Sequence, residues 1–166
     1  MKFLATLLIY PVFLTSCSHT YYIVRHAEKD TGSQGTQMTA NDPPLSEPGR
    51  QRSETLKDIL KDMNIAYVFA TNTIRAESTA QPIADYFAIT IQLYSKTDSA
   101  FFEQLKQLKK NVLIVGHSNT VKNIVNGLCN AEKVNADLSD NEYDNLFAVK
   151  YRRFFGTHVK FMRRKY

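Results

Sequence analysis

YYIVRHAEK, residues 21–29, is the stretch whose reading decides the fold. Apolar and aromatic residues run straight into Arg25-His26, and the chain then turns polar. That is the pattern of a buried strand ending on a cationic pair. Open α/β sheets place their chemistry outside the carboxyl ends of the strands. A guanidinium beside an imidazole at such an end suggests a phosphate and a group to attack it. The competing interpretation is an ordinary solvated loop that starts at Arg25, and only the context of the pair separates the two.

Upstream, FLATLLIYPVFL (residues 3–14) follows Lys2. The run is too short to span a bilayer as a mature helix, and it ends in small polar residues as a secretory signal does. Leu14-Thr15-Ser16-Cys17 resembles the bacterial lipobox, whose cysteine is lipidated and becomes the mature N-terminus. The expectation is a signal peptide over residues 1–16 and a lipid on Cys17. The domain would then be anchored to a bacterial membrane in the cell envelope, outside the cytoplasm. A plain cleaved signal and an uncleaved apolar arm are the alternatives. Ser18, His19 and Thr20 would form a short spacer, with His19 exposed.

Downstream, residues 30–44 are rich in Gly, Ser, Thr, Asn and Pro, as a long loop is. Leaving the Arg25-His26 end, this loop suits a lid or substrate rim. Ser46 is a good helix N-cap, with Glu47 and Pro48 in the first turn. Leu56, Ile59, Leu60 and Met63 continue at helical spacing, giving a helix over about 47–62. The pattern then predicts strands at 66–71, 89–94 and 111–117. It predicts helices at 72–87, at 99–109 through Phe102, Leu105 and Leu108, and at 119–128 through Val121, Ile124, Val125 and Leu128. NLFAVKYRR and THVKFMRR close the chain as a hairpin. The alternation predicts a three-layer α/β fold, a mainly parallel sheet with helices on both faces.

The chain has 166 residues, 43% hydrophobic and 22% charged, which fits one domain over residues 18–166 with one core. With Cys17 lipidated, Cys129 has no intrachain partner, so it is expected as a small core residue without a disulfide. The net charge of +5 is concentrated late. Lys150, Arg152, Arg153, Lys160, Arg163, Arg164 and Lys165 lie in a tail without Asp or Glu. A basic patch for anionic lipid or substrate is one reading. The favoured one is a charged edge strand that resists aggregation. Nothing suggests a nucleic-acid groove, and a monomer is expected.

Further strand ends bring the chemistry. The strand at 66–71 leads into Asn72 and then Arg75; the strand at 111–117 leads into His117, Ser118 and Asn119. In a parallel sheet these ends share an edge with Arg25 and His26. Helix N-termini near Asn72 and Ser118 would add N–H donors, making both residues candidate phosphate contacts. Two guanidiniums can hold phosphate oxygens in planar forks. Neighbouring positive charge keeps an imidazole neutral and nucleophilic. The arginines would supply the charge stabilisation of a divalent ion, so no metal or cofactor is expected. His19, His26, His117 and His158 lack ligand-like spacing.

VRHAEK, LSEPGRQR, TNTIRAESTAQPIA and LIVGHSNT, in this order, resemble the histidine phosphatase superfamily, with its phosphoglycerate-mutase-like fold. The chain is similar in size to its small phosphohistidine phosphatases. The resemblance implies that His26 attacks phosphorus and becomes phosphohistidine. Arg25, Arg75 and His117 would bind the phosphoryl oxygens. It departs from the common pattern at Ala27, where glycine is frequent, and at Ala76, where threonine is. The family's general acid often follows the third strand. There Asp98 is the first candidate and Glu103 the second, against a plain helix-terminal charge at Asp98. Glu28 is expected to pair with an arginine or Lys29. The implied activity is metal-independent hydrolysis of a phosphorylated small molecule or phosphoprotein, as a phosphomonoester or phosphohistidine. The alternative is a lipoprotein that binds phosphate or a phospholigand without turnover; a phosphomutase is a third, for which the chain is short.

Overall fold

The computed structural model describes residues 17–30, 42–153 and 156–166. Along the chain run β1 (Cys17–Arg25), α1 (Glu47–Leu60), β2 (Ile65–Thr71), α2 (Ile74–Phe87) and β3 (Ile91–Tyr94). α3 (Ser99–Leu108), β4 (Asn111–Gly116), α4 (Ser118–Cys129), β5 (Asn145–Arg153) and β6 (Thr157–Lys165) follow. The strands form one sheet in the order β3-β2-β4-β1-β5-β6. Its first four members are parallel, and β5 and β6 add an antiparallel hairpin beside β1.

The two-residue period of the central strands divides the core. Tyr21, Ile23, Phe69, Val112 and Ile114 face the layer that holds Leu105 of α3 and Ile124 of α4. Val24, Val68, Ala70, Leu113 and Val115 face the layer of Leu56, Leu60 and Ile83 from α1 and α2. Strands covered on both faces read as continuous apolar runs, which is why YYIV and VLIV stand out in the sequence.

Several elements differ from the sequence expectation. β1 begins at Cys17, so residues 18–20 are strand and not spacer. Ser18 and His19 pair with Arg152 and Tyr151 of β5. The ladder is built from backbone groups, so polar side chains at the strand's outer end do not prevent it. His19 is half-buried, with its ring stacked on Tyr151 at 5.4 Å between centroids. On α1 the buried stripe is Gly49, Ser53, Leu56 and Leu60. Ile59 and Met63 face outward. Gly49 belongs in the stripe because α1 crosses so close to the main chain of Glu28 that a Cβ there would collide with its carbonyl. On α3 the core residue is Phe101, stacked on Tyr94 at 4.7 Å, and Phe102 is only partly buried. α2 starts later than expected, with Thr73 at its N-cap. Cys129 is half-buried against the core, and burial pushes its thiol up. The expected signal over residues 1–16, with lipobox residues Leu14, Thr15 and Ser16, lies outside the described residues, as does most of the rim loop. No described helix is long and apolar enough to cross a membrane.

Candidate active site

Arg25 at the end of β1 sits directly beside Gly116 at the end of β4. The ladder continues one residue further, because the His26 N–H donates to the Gly116 carbonyl at 2.8 Å. This pairing carries His26 and His117 out of adjacent parallel strands side by side. Their rings stand edge to face with centroids 5.2 Å apart.

His26 is buried, with 3% of its surface exposed. Its Nδ1 lies 2.8 Å from the Ala27 carbonyl oxygen. A carbonyl can only accept, so Nδ1 carries the proton and Nε2 keeps a free lone pair. Burial, opposed by the Ala27 carbonyl and aided by His117, Arg25 and Arg75, pushes the imidazole down to about 3. The ring is therefore neutral near neutral pH. The Ala27 N–H in turn donates to Thr79 Oγ1 at 2.9 Å, and that hydroxyl donates to the Arg75 carbonyl at 2.7 Å. Thr79 thus ties the loop that follows His26 to α2.

His117 is half-buried, and its Nε2 lies 3.2 Å from Thr71 Oγ1. Burial, then the fields of Arg75 and Arg25, hold it below the ordinary histidine value, while Asp42 works the other way. Arg25 is 5% exposed. It donates from Nη1 to the Ser139 carbonyl at 2.7 Å, and Nη2 lies 3.6 Å from an Asp140 carboxylate oxygen. Its guanidinium sits 4.4 Å from the Tyr143 ring centre, and its buried Nε has no hydrogen-bond partner among the described residues. Arg75 Nη1 donates to Asp42 Oδ1 at 2.8 Å, while Asp42 Oδ2 accepts from the Ile74 N–H at 2.8 Å. One carboxylate thereby aligns the guanidinium and caps α2.

Arg25, His26, Arg75 and His117 are within one another's electrostatic reach at the carboxyl edge of the sheet. Such a ring of donors suits a phosphoryl group, with Nε2 of His26 as its nucleophile. Asp98 is the N-cap of α3 and accepts from the Phe101 N–H at 3.1 Å. Glu103 pairs with Lys106 on the surface of α3. Asn72 is exposed in the turn before α2, and Ser118 is the first residue of α4. Glu28 pairs with Arg52, whose Nε and Nη2 both donate to its carboxylate. Burial raises the Glu28 carboxyl, but the Arg52 hydrogen bonds and charge outweigh it and hold it low. Among the described residues no group of three or more His, Cys, Asp or Glu is placed to hold a metal ion.

Sequence reading missed Asp42, Thr71, Thr79 as a link, and the grip of residues 139–143 on Arg25. Asp42 sits in a loop and reaches its partner 33 residues away. Tyr143 lies in a polar connection between α4 and β5 that has neither helical nor strand periodicity. Neither leaves a local signal.

A family model, the histidine phosphatase superfamily (branch 1), matches residues 21–98. No curated protein sequence matches. Among solved structures, the protein histidine phosphatase SixA complexed with tungstate is similar at a TM-score of 0.65 and 16% identity, over 88% of this chain and 96% of that one. Phosphoserine phosphatase from Entamoeba histolytica, with 3-phosphoglyceric acid, is similar at 0.61 and 17% identity, over 87% and 95%. The mycobacterial glucosyl-3-phosphoglycerate phosphatase with inorganic phosphate gives 0.61 and 12% identity, over 86% and 95%. At these identities the structures speak for the fold, while the matched segment contains both Arg25-His26 and Arg75. Residues 21–98 thus match the histidine phosphatase superfamily (branch 1), and the chain has the fold of these phosphatases.

Proposed function

We propose that the protein hydrolyses phosphohistidine or a related phosphoramidate without a metal, through a phosphoenzyme at His26. The observation that carries this is the Nδ1–H donation to Ala27, which leaves the Nε2 lone pair free on a ring that feels the charges of Arg25, Arg75 and His117. Nε2 attacks phosphorus and the bond to the leaving nitrogen breaks, with that nitrogen taking up a proton. Water then attacks the phosphohistidine, the N–P bond breaks, and orthophosphate leaves while Nε2 recovers its lone pair. Arg25, Arg75 and His117 hold the phosphoryl oxygens throughout, with N–H groups near Asn72 and Ser118 as further donors.

A phosphoramidate fits better than an alkyl ester because its nitrogen protonates readily and an alkoxide needs an acid. Asp98 remains the candidate acid, but its carboxylate is engaged as the α3 cap. Asp42 is engaged with Arg75. In this reading Asp98→Asn leaves phosphoramidate turnover within about threefold of the parent.

The test is His26→Ala against phosphoramidate and a generic monoester, with acid-quench trapping of labelled phosphate on the parent. The expected results are loss of turnover in a folded variant and label on His26. Turnover by metal-free His26→Ala would sink the reading; tight phosphate binding with no label and no turnover would leave a binding lipoprotein instead. We further propose that Cys17 carries a lipid and holds the domain on an envelope membrane. Labelled fatty acid should enter the parent and not Cys17→Ala.

A further inference from the structure

β1 starts at Cys17, and Cys17 lies opposite Arg153 of β5 in the sheet register. This is the end of the sheet away from Arg25 and His26. A groove of about 370 Å³ opens there, lined among others by Lys106, Lys109, Arg152 and Arg153 over Tyr151 and Val159. A second groove shares Cys129 and Val159 with it and adds Lys133 and Lys160. Among the described residues no Asp or Glu lines either one. Arg152 and Arg153 are exposed, and Val159 is an exposed apolar side chain. Among the described residues, Lys106 is the one of these cations in an ion pair, with Glu103 at 3.2 Å.

Edge-strand protection accounts for the cations of β6, which closes one side of the sheet. It does not account for Lys106 and Lys109 from the end of α3, or Lys133 from beyond α4. These converge on the same surface from separate elements. A helix dipole explains a lysine at the end of α3, but not the arginines of β5 facing the same groove.

We propose that this basic base of the domain docks on an anionic phospholipid surface, with the phosphatase cleft turned away from it. Arginine forks suit headgroup phosphodiesters, and the exposed apolar floor suits the glycerol level beneath them. The surface is continuous with the end of β1, where the lipid proposed on Cys17 would be attached. The proposal rests on that reading only for orientation, so its test uses protein without lipid.

Residues 17–166 with Cys17→Ser are mixed with vesicles of phosphatidylglycerol and phosphatidylcholine, or of phosphatidylcholine alone, and sedimented. Binding is expected only to the anionic vesicles, and it should fall as salt rises. Arg152→Glu/Arg153→Glu should weaken it at least tenfold. Arg152→Gln/Arg153→Gln should weaken it less. Arg50→Glu/Lys96→Glu, which places the same charge change at the catalytic end, should leave it within about twofold. Phosphoramidate turnover without vesicles should be unchanged in the Arg152/Arg153 variants, which also reports that they fold. Equal binding to neutral vesicles, no binding to anionic ones, or equal losses at both ends would overturn the proposal. So would displacement by millimolar glycerol phosphate, which would mark a site for a soluble anion.

Discussion

At the scale of single residues, the site depends on which nitrogen of His26 holds the proton. The Ala27 carbonyl fixes that, and Thr79 fixes Ala27. Thr79→Val keeps the side chain's shape but leaves the Ala27 N–H buried without an acceptor. It should cost about 1–3 kcal/mol and lower kcat more than it raises KM. Thr79→Ser should restore most of both; thermal unfolding and steady-state kinetics are the checks. The buried imidazole has a second consequence. The unfolded chain takes up a proton at His26 below about 6.5, whereas the folded chain waits until about 3. The stability that comes from a neutral His26 is complete above 6.5 and is lost as pH falls through that window. His26→Asn should therefore flatten the dependence of unfolding free energy on pH between 4 and 6, by up to about 1.4 kcal/mol per pH unit. Denaturant titrations at several pH values measure the slope. NMR of the parent should show the His26 ring neutral at pH 5, with its one proton on Nδ1.

At the scale of elements, the apolar runs of β1, β2 and β4 were legible because strands covered on both faces need little else. α4 was legible because Val121, Ile124, Val125 and Leu128 are all buried at helical spacing. The inner face of α1 was not, because small residues create it. Gly49 and Ser53 let the helix approach Glu28, and such closeness leaves no hydrophobic signal. Gly49→Ala should gain about 0.5–1 kcal/mol in helix propensity and lose more to the collision with the Glu28 carbonyl. The net expectation is a loss of about 1–2 kcal/mol, visible in the denaturation midpoint. Activity should fall as well, since the main chain being pushed follows His26 by two residues. Exposed Gly156 has open space where a Cβ would stand.

At the scale of the whole molecule, the sequence reading brought Arg25, His26, Arg75 and His117 to one edge because parallel strand ends must share it. It could not place Asp42 or the 139–143 segment, because loops meet the pocket only after the sheet has closed. The same closure joins the two ends of the chain's described part. Arg52 on α1 holds Glu28 beyond β1 and also donates to the Tyr166 main-chain oxygen at 2.8 Å. The unbroken course of β1 has one more consequence. Its nine residues separate Cys17 from the imidazole, a span of roughly 30 Å at the rise of an extended strand. With the fatty anchor proposed for Cys17, that strand would become a ruler. His26 would then work at a fixed height above the bilayer, beyond the phosphates of the lipids themselves. Its reach would be the layer swept by dissolved metabolites and by the protruding side chains of neighbouring proteins.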